Sequence, residues 1–319
     1  MDLHLCGLFG YPQILLTRLK YVVFSKALHS TWLLSCEHGI LFDAGEGVGT
    51  SLGHKVFLPE RLFFSHSHMD HIAGLPSLLG LRNAGYGSRD KPLVIYYPAG
   101  NRFVEDWLKF SIRQAGRLRY SLNIHPLEPF ERVPLEVKAG SQEQRYVEGF
   151  PVRHGNNRNL PFSWFSPRTW LPRAYSPCYG YRIVSVTRKL KPEFRGKGQD
   201  FYKQLTTEAK EAMSEDSPTT KFFFSGDSLP LEQGPNCPLN GAELAFLDAT
   251  FLNPEDRTAP THATMEEVAR SCAAAKVRVA YAMHQSIRYT PEEIIAKAQE
   301  LQSIYPLRII HYSEVTYLN

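Results

Sequence analysis

Four side chains that can bind a metal ion lie close together in the sequence, just after a short apolar run. His66, His68, Asp70 and His71 occur within six positions, and residues 62–64 before them are Leu-Phe-Phe. An apolar run of this kind is typical of a buried strand, so the four side chains should follow a strand end. Imidazole and carboxylate groups are the usual ligands of Zn²⁺ and also suit Mn²⁺ and Fe²⁺. The segment favours a metal site over a polar loop with chance histidines.

The spacing within this cluster predicts two neighbouring binding points. His66 and His68 are two residues apart, so in an extended segment their side chains point the same way. Asp70 and His71 follow where the chain turns toward a helix predicted over residues 74–83. The first pair of imidazoles can therefore face one cation, while the carboxylate and the third imidazole face an adjacent one.

Further ligand-type residues recur where predicted strands end. His154, Asp227, Asp248 and His284 each follow an apolar strand pattern. Side chains at one edge of two packed sheets can converge on one cleft, so we expect these four beside the histidine cluster. Asp43 also follows a strand, in Asp-Ala-Gly-Glu-Gly, where it either belongs to a tight turn or orients a ligand histidine.

The elements that must position these residues alternate along the chain. Predicted strands cover residues 3–9, 15–25, 30–35, 39–42, 92–97, 123–136, 143–150, 181–187, 221–224, 244–247, 277–282 and 307–312. Predicted helices cover residues 102–115, 203–213, 265–275 and 291–305. Residues 123–136 and 143–150 are expected to pair with each other, and residues 214–220 are predicted to be a polar linker. Thr264 and Glu267 have the spacing of a capping box at a helix start.

Composition limits the class of protein. The chain has 319 residues, 43% of them hydrophobic, a net charge of +4 and a pI near 8.7. This small positive excess permits an anionic substrate without demanding one. The five cysteines form no Cys-x-x-Cys pair, which favours a reduced, cytoplasmic setting over a disulfide framework. We also expect neither a signal peptide nor a membrane span, because the start is acidic and no apolar run is long enough.

Residues 155–181 form an unusual segment that is rich in aromatic and cationic side chains and has no acidic residue. In one interpretation it is a substrate-binding loop in which Arg158, Trp164 and Arg168 hold phosphates and stack bases. In the other it is a proline-rich loop that buries its aromatic side chains against its own domain. The spacing does not separate the two.

Six motifs in order resemble the metallo-β-lactamase superfamily, and within it the ribonuclease Z branch. They are S-H-x-H-x-D-H-x-x-G-L at 65–75, L-F-D-A-G-E-G at 41–47, S-G-D-S at 225–228, D-A-T-F at 248–251, H-A-T at 262–264 and H-Q-S-I-R-Y at 284–289. The resemblance implies an α/β fold, the αββα sandwich, in which two mixed β-sheets are flanked by helices and metals bind at one edge. It also implies a single domain over residues 1–319, with the aromatic and basic segment as a loop insertion.

The resemblance implies a role for each candidate residue. One Zn²⁺, or Mn²⁺ or Fe²⁺ in its place, would be held by His66, His68 and His154. A second would be held by Asp70, His71 and His284, and Asp227 would bridge the two. Asp248 and His262 would form a proton-donating pair, so that Asp70, Asp248 and His262 are the catalytic candidates. Arg288 of the last motif is a candidate for binding substrate.

Three departures from the branch concern its RNA substrate. The branch has glutamate where this chain has Asp248, which is one methylene shorter, and histidine where this chain has Leu247. A Pro- and Arg-rich loop that the branch uses on RNA is not evident over residues 7–20. A Gly-Pro-containing arm that grips tRNA is expected between residues 181 and 222, where this chain offers a basic run and a short helix.

These features predict a dinuclear hydrolase of phosphodiesters, with processing of tRNA 3′ ends as the specific version. One alternative is a hydrolase of a small ester, such as a cyclic nucleotide, a sulfate ester or a lactam. Alternatives from other classes are an iron-dependent oxidoreductase and a binding protein without activity, although the full ligand set disfavours the last. The expected partner is a phosphodiester substrate such as RNA, a membrane is not expected, and a homodimer is left open.

Overall fold

The structure is a computed structural model that describes residues 19–85, 91–137, 141, 143–154, 177–257, 261–310 and 313–319. The strand predicted at 3–9 and most of the segment 155–181 lie outside the described residues. Within the described part of the chain, no helix is long and apolar enough to cross a membrane.

Fourteen described strands form two seven-stranded sheets. In chain order they are β1 (Tyr21–Lys26), β2 (Ser30–Ser35), β3 (Ile40–Phe42), β4 (Arg61–Phe63), β5 (Leu93–Pro98), β6 (Leu122–Leu127), β7 (Arg132–Leu135), β8 (Gln144–Pro151), β9 (Tyr179–Leu190), β10 (Ser214–Phe224), β11 (Leu244–Asp248), β12 (Val279–Met283), β13 (Arg308–Ile309) and β14 (Thr316–Leu318). The first sheet has the order β14-β1-β2-β3-β4-β5-β6, and the second has the order β13-β12-β11-β10-β9-β8-β7. Both sheets mix parallel and antiparallel pairs, as the sequence predicted.

Eight described α-helices accompany the sheets. They are α1 (Val48–Leu52), α2 (Met69–Ile72), α3 (Leu75–Ala84), α4 (Arg102–Ala115), α5 (Gln199–Lys203), α6 (Thr207–Ala212), α7 (Met265–Ala275) and α8 (Pro291–Leu301). In the described part of the chain, three short 3₁₀ turns cover Gly53–Phe57, Pro192–Phe194 and Pro254–Asp256. The predicted capping box at Thr264 and Glu267 is confirmed, and α8 begins with a second one at Thr290 and Glu293.

Three hydrophobic cores separate four layers, because successive side chains of a strand point to opposite faces. On β10, Phe222 and Phe224 face the first sheet, whereas Phe223 faces the helix layer formed by α7 and α8. The other face of the first sheet packs against α1, α3 and α4. Between the sheets, the ring of Phe42 stacks on that of Phe222 with centroids 5.1 Å apart. The observed order helix, sheet, sheet, helix confirms the predicted αββα sandwich.

The expected pairing of residues 123–136 with residues 143–150 is wrong for the first half of that segment. The strand ends at Leu127, and Phe130 in the turn that follows has a φ of 65°. The first half, β6, pairs with β5 in the first sheet, while the second half, β7, pairs with β8 in the second. Apolar residues occur on both sides of the turn, at Ile124 and Leu127 and again at Val133 and Leu135, so the local pattern does not show that the chain changes sheets there.

The predicted linker at 214–220 is also wrong, because these residues form the first part of β10. Their pairing with β9 starts at Ser214, which lies opposite Leu190. On the other side of β9, strand β8 pairs with β9 only as far as Val186. The two strands therefore continue past the sheet as a two-stranded arm, which we define as residues 187–217. The arm is polar because solvent reaches both of its faces, so its sequence lacks the apolar signal of a strand. The helix predicted at 203–213 is two short helices, α5 and α6.

The strand directions decide where the candidate ligands lie. In the first sheet β3 runs parallel to β4, and in the second sheet β10, β11 and β12 run parallel to one another. The carboxyl ends of parallel strands meet at one edge of a sheet, so the residues after Phe42, Phe63, Phe224, Asp248 and Met283 share one end of the sandwich.

Candidate metal centre

The histidine cluster is an extended segment that runs into one turn of helix. β4 ends at Phe63, and His68 has the extended angles φ −66° and ψ 145° immediately before α2. Within α2, Asp70 lies in the first turn and His71 follows it. The backbone N–H of His71 donates to the carbonyl of His68 over 3.0 Å, which closes the turn. The extended part aims His66 and His68 to one side, and the helical turn aims Asp70 and His71 beside them.

The centre of the cluster is the carboxylate of Asp227. Its Oδ2 lies 3.4 Å from Nε2 of His66 and 3.8 Å from Nδ1 of His68. Its Oδ1 lies 3.0 Å from Nε2 of His71 and 3.3 Å from Nε2 of His284. One oxygen thus faces one group of imidazoles and the other oxygen faces the second group.

His154 and Asp70 complete the two groups. The ring of His154 lies 5.2 Å from that of His66 and 4.9 Å from that of His68, measured between centroids. On the other side, Asp70 Oδ2 lies 3.2 Å from Nε2 of His284. The potential ligand atoms of His66, His68, His154 and Asp227 lie within 4.8 Å of one another, and so do those of Asp70, His71 and His284. The structure therefore brings together all of the ligands that the sequence suggested.

Each buried histidine is oriented by a partner at its outer nitrogen. The Nδ1 partners are Ser65 Oγ for His66 at 2.9 Å, Asp43 Oδ2 for His71 at 2.6 Å, the Thr261 carbonyl for His154 at 2.7 Å and Thr250 Oγ1 for His284 at 2.8 Å. These contacts place the proton on Nδ1 and leave Nε2 to face the cluster, which is the arrangement that a metal-binding histidine requires.

Asp43 joins two of these histidines in one network. Its Oδ1 accepts the Ser65 backbone N–H over 2.7 Å, and its Oδ2 accepts from both the Ser65 hydroxyl and His71. The Ser65 hydroxyl in turn accepts from His66. Burial raises the pKa of Asp43, whereas the charge of His71 opposes that rise. Of the two sequence interpretations for Asp43, the contact with His71 supports the orienting one.

Two glycines let the Asp43 loop and the histidine loop touch backbone to backbone. The Gly74 N–H donates to the carbonyl of Ala44 over 2.8 Å, and the Ala44 N–H donates to the carbonyl of His71 over 2.7 Å. A Cβ at Gly74 would lie 2.1 Å from the carbonyl oxygen of Gly45, which no side chain tolerates. This close approach explains why the two motifs carry glycine at these positions.

The donor set fits a pair of divalent cations. Nε2 of His66, Nε2 of His71 and both oxygens of Asp227 are buried and lack a hydrogen-bond partner. Leaving such polar atoms buried and unsatisfied is costly, and bound cations would satisfy all of them. Burial lowers the pKa of His66 to about 3, so this imidazole is neutral, whereas at His71 burial is outweighed by the charges of Asp227 and Asp43, which raise the pKa well above its usual range, so that a cation would compete with the proton there. Nitrogen and carboxylate oxygen together suit Zn²⁺, Mn²⁺ or Fe²⁺.

Asp248 and His262 form a hydrogen-bonded pair next to this centre. Nδ1 of His262 donates to Asp248 Oδ2 over 2.7 Å and lies 3.9 Å from Asp227 Oδ2. Burial by itself would lower the pKa of His262, but the charge and hydrogen bond of Asp248 outweigh it and raise the pKa to about 9. The shorter side chain of aspartate thus still reaches the histidine, and the imidazole carries a proton at neutral pH.

Three residues in contact with the site have no role in the sequence interpretation. The Thr250 hydroxyl donates to Asp248 Oδ1 over 2.7 Å and contacts His284, so it joins the proton-donating pair to a candidate ligand. The Leu28 backbone N–H donates to Asp70 Oδ2 over 3.0 Å, and the Thr261 carbonyl holds His154. Thr250 could have been found from its place two residues after Asp248. No local pattern marks a backbone group such as that of Leu28.

Of the four candidate substrate-binding residues, the structure describes only Arg288. Arg158, Trp164 and Arg168 lie outside the described residues. The exposed Arg288 lies over the ring of Phe251 with its guanidinium carbon 5.2 Å from the ring centroid, and its Nη1 donates to the carbonyl of Asp256 over 3.2 Å. Because Phe251 lies three residues after Asp248, this cation is on the same side of the molecule as the candidate proton donor.

Comparison with known proteins identifies the family. The chain is 31% identical to ribonuclease Z of Thermococcus onnurineus over 268 residues, which cover 82% of this chain and 80% of that protein. It is 27% identical to ribonuclease Z of Staphylococcus carnosus over 276 residues, covering 83% and 84% of the two chains. No protein-family model matches the sequence.

Solved structures support the fold. The metallo-β-lactamase fold protein YhfI of Bacillus subtilis superposes with a TM-score of 0.57 at 15% identity, covering 93% of this chain and 98% of that one. The short form of human tRNase Z superposes with a TM-score of 0.54 at 17% identity, again covering 93% and 98%. With two mixed sheets between helix layers the chain has the metallo-β-lactamase fold, and with a relative of 31% identity over most of its length it belongs to the ribonuclease Z family.

Proposed function

We propose that this protein is an endoribonuclease that cleaves a phosphodiester bond at the 3′ end of precursor tRNA. As a member of the ribonuclease Z family it is a metal-dependent hydrolase of phosphodiesters. The observation that carries the proposal is the pairing of Asp248 with His262 beside the His/Asp cluster. That pair supplies a proton, which cleavage of an unactivated phosphodiester requires for its leaving oxygen.

The proposed ligand assignment follows from the two faces of Asp227. One Zn²⁺ would be held by His66, His68 and His154, and a second by Asp70, His71 and His284, with Asp227 shared between them. Mn²⁺ or Fe²⁺ would suit the same donors. Two bound cations would supply Lewis acidity for the phosphoryl oxygens and would lower the pKa of the attacking water.

The protein's own groups have separate tasks in this proposal. Asp248 holds the His262 imidazole in one orientation and favours its protonated form, and His262 donates the proton from Nε2 to the leaving oxygen. Asp70 Oδ2 lies 3.2 Å from Nε2 of His284, so both would face the second cation, and the Leu28 N–H holds Asp70 from behind. His68 has a side chain that is 55% exposed, so substrate enters from its side. Arg288 is proposed to contact the substrate phosphates near Phe251.

The Asp248–His262 pair also separates this proposal from its alternatives. In an iron-dependent oxidoreductase, the protonated imidazole of His262 beside the metals would have no catalytic role. A lactam or an activated ester has a leaving group that departs without such help, so a hydrolase of those substrates would not require the pair. A cyclic nucleotide or a sulfate ester stays a second candidate, because its leaving oxygen also needs a proton.

The test is a side-by-side assay of metal-loaded protein on precursor tRNA, a cyclic nucleotide and an aryl phosphodiester. We expect cleavage at the tRNA 3′ end, with an RNA affinity that falls steeply as salt rises, because phosphate contacts release counterions. Elemental analysis of the same sample should give two metal ions per chain. Turnover of the small esters without any cleavage of tRNA would exclude the RNA proposal and retain the hydrolase.

Three expectations about the whole protein stay predictions. We propose one catalytic domain over residues 1–319 with an insertion at about 155–181. We propose a cytoplasmic location, because the five scattered cysteines of the sequence lack the pattern of a disulfide framework. The third, the oligomeric state, is left open between a monomer and a homodimer, and sedimentation of the metal-loaded protein would decide it.

A further inference from the structure

The backbone that carries His262 is held by side chains at two consecutive carbonyls. The Thr261 carbonyl accepts from Nδ1 of His154 over 2.7 Å, and the His262 carbonyl accepts from Nη1 of Arg257 over 3.1 Å. His154 belongs to the metal centre, so the first contact ties the segment to a candidate ligand. Arg257 belongs neither to the metal centre nor to the proton-donating pair, so the second contact ties the segment to a different part of the molecule.

The guanidinium group of Arg257 also forms a two-point ion pair with Glu267 in the first turn of α7. Its Nη1 lies 2.8 Å from Oε2 of Glu267, and its Nη2 lies 2.9 Å from Oε1. Nη1 carries two hydrogens, so it donates to Glu267 and to the His262 carbonyl at once. The two side chains are 22% and 27% exposed, so solvent screens this pair less than it screens a surface pair.

Glu267 is in turn fixed by the capping box of α7. Its Oε2 accepts the backbone N–H of Thr264 over 2.9 Å, and its own backbone N–H donates to Thr264 Oγ1 over 3.2 Å. The buried face of α7 packs in the hydrophobic core between the second sheet and its helix layer, so Glu267 belongs to a rigid element. Arg257 thus connects the backbone of the proton donor to a packed helix.

The backbone of Arg257 is anchored as well. It follows the 3₁₀ turn Pro254–Asp256, and its N–H donates to the carbonyl of Pro254 over 3.2 Å. The Tyr289 hydroxyl donates to Asp256 Oδ2 over 2.7 Å, which fixes the turn to the last sequence motif. The guanidinium group therefore extends from a held turn, and its contacts join three fixed parts of the molecule.

We propose that Arg257, held by Glu267, is a positioning residue for the proton donor. The hydrogen bond to Asp248 orients the His262 ring but does not by itself fix the backbone behind the ring. The Arg257 contact fixes that backbone to α7, so Nε2 of His262 keeps one position relative to the leaving oxygen. A displacement of about 1 Å can cost about 10²-fold in rate, so Arg257 should affect turnover without touching substrate. The inference rests on the proposed function, in which His262 donates the proton.

The test compares Arg257→Met and Arg257→Lys with the parent protein, metal-loaded, on precursor tRNA and on an aryl phosphodiester. Methionine keeps the apolar stem without a donor, and lysine keeps the charge without the planar fork that reaches three oxygens. We expect kcat for tRNA to fall about 10- to 100-fold in both variants, with KM and metal content unchanged. The aryl phosphodiester should lose far less, because its leaving oxygen departs without a proton.

The matched control is Arg270→Met on the same helix. Arg270 forms an ion pair with Glu266, with Nη2 2.8 Å from Oε1, at an exposed position. The variant removes an arginine–glutamate pair from α7 as Arg257→Met does, and it should leave kcat on both substrates unchanged. Equal losses on both substrates in Arg257→Met would show a merely structural role and would overturn the inference.

His262→Ala, measured beside these variants, separates the inference from the proposed function. If His262→Ala slows tRNA cleavage selectively while Arg257→Met leaves it unchanged, the proposed function stands and the role of Arg257 is wrong. If His262→Ala slows both substrates equally, proton donation is wrong, and the inference falls with it. A rise in KM for tRNA that Arg257→Lys restores would show that Arg257 contacts a substrate phosphate instead, which would also overturn the inference.

Discussion

At the scale of single residues, the site contains two hydrogen-bonded chains of the same design. In one, His66 donates to the Ser65 hydroxyl, which donates to Asp43, and Asp43 also accepts from His71. In the other, His284, Thr250, Asp248 and His262 are joined in the same order. Each chain has a carboxylate that orients one imidazole directly and another through a hydroxyl. The first serves two candidate ligands, and the second couples a ligand to the proton donor.

We expect His262→Ala to retain both metals and to slow tRNA cleavage by about 10²- to 10⁴-fold, the usual contribution of a general acid. An aryl phosphodiester with a good leaving group should lose far less, because its leaving oxygen departs without a proton. His125→Ala is the control, since His125 is an exposed histidine on β6 that contacts Glu131 in the turn before β7. Equal losses on both substrates would argue against proton donation.

Asp43→Asn should lower metal affinity about 10- to 100-fold without unfolding the protein. Asp43 has a φ of 57°, a left-handed conformation that asparagine also adopts, so the change isolates the lost acceptor from backbone strain. Metal titration against a competing chelator would measure the effect, with the exposed Asp106→Asn as control. Unchanged affinity would mean that the His71 orientation does not depend on the carboxylate.

At the scale of secondary-structure elements, burial rather than local sequence decides how much each element contributes. α8 has a capping box and buries Ile294, Ala298 and Leu301 in the second helix layer. α6 also has a threonine cap, Thr206, but buries no residue. The two caps are locally alike, and only the packing of the helices behind them differs.

Thr290→Ala should therefore destabilise the protein by about 1 kcal/mol, the usual cost of losing an N-cap. Thr206→Ala should have no measurable effect on global unfolding, because fraying of α6 exposes no core. Urea denaturation of the two variants and the parent would compare them. A loss of equal size in both would show that α6 packs on the body of the protein.

The arm offers a second test at this scale. It leaves the sheet at the far end of β9 and β10 from Asp227, at the pair Thr187 and Ser217, which lies about 23 Å along the strand from Phe224 at the end of β10. Replacing residues 191–213 by Asn-Gly would join Leu190 to its partner Ser214 through a two-residue turn. We expect unchanged metal content and unchanged hydrolysis of an aryl phosphodiester, whereas loss of metal would show that the arm supports the site.

At the scale of the whole molecule, the metal centre joins the two sheets. His66, His68, Asp70 and His71 follow strands of the first sheet, while His154, Asp227 and His284 follow strands of the second. Bound cations would therefore link the two halves of the sandwich and neutralise the carboxylates buried between them. Metal binding and folding stability should be coupled for this reason.

Chelation should lower the melting temperature, and added Zn²⁺ should restore it. A site that binds only the folded protein contributes about 2.7 kcal/mol when free metal is a hundred times its Kd. The shift should be smaller in His66→Ala, which removes one ligand, and unchanged in the exposed control His125→Ala. Differential scanning calorimetry would measure it, and equal melting temperatures with and without metal would contradict the coupling.

Local sequence patterns were sufficient to predict many structural features of this protein. The apolar run before the histidine cluster, the capping residues of α7 and the acids after strand ends depend on neighbours within a few residues, so they are visible along the chain. These features are encoded by nearby residues and by their spacing. The αββα layering was implied by the resemblance of the six motifs to a known family.

Other features arise only when distant segments meet. The polar residues 214–220 form a strand because β9 lies beside them, and residues 123–136 divide between two sheets because each half finds a different partner. The two faces of Asp227 and the Leu28 contact to Asp70 each combine segments far apart in the chain. Hydrogen bonds and ion pairs depend on distance in space, and chain order alone does not contain those distances.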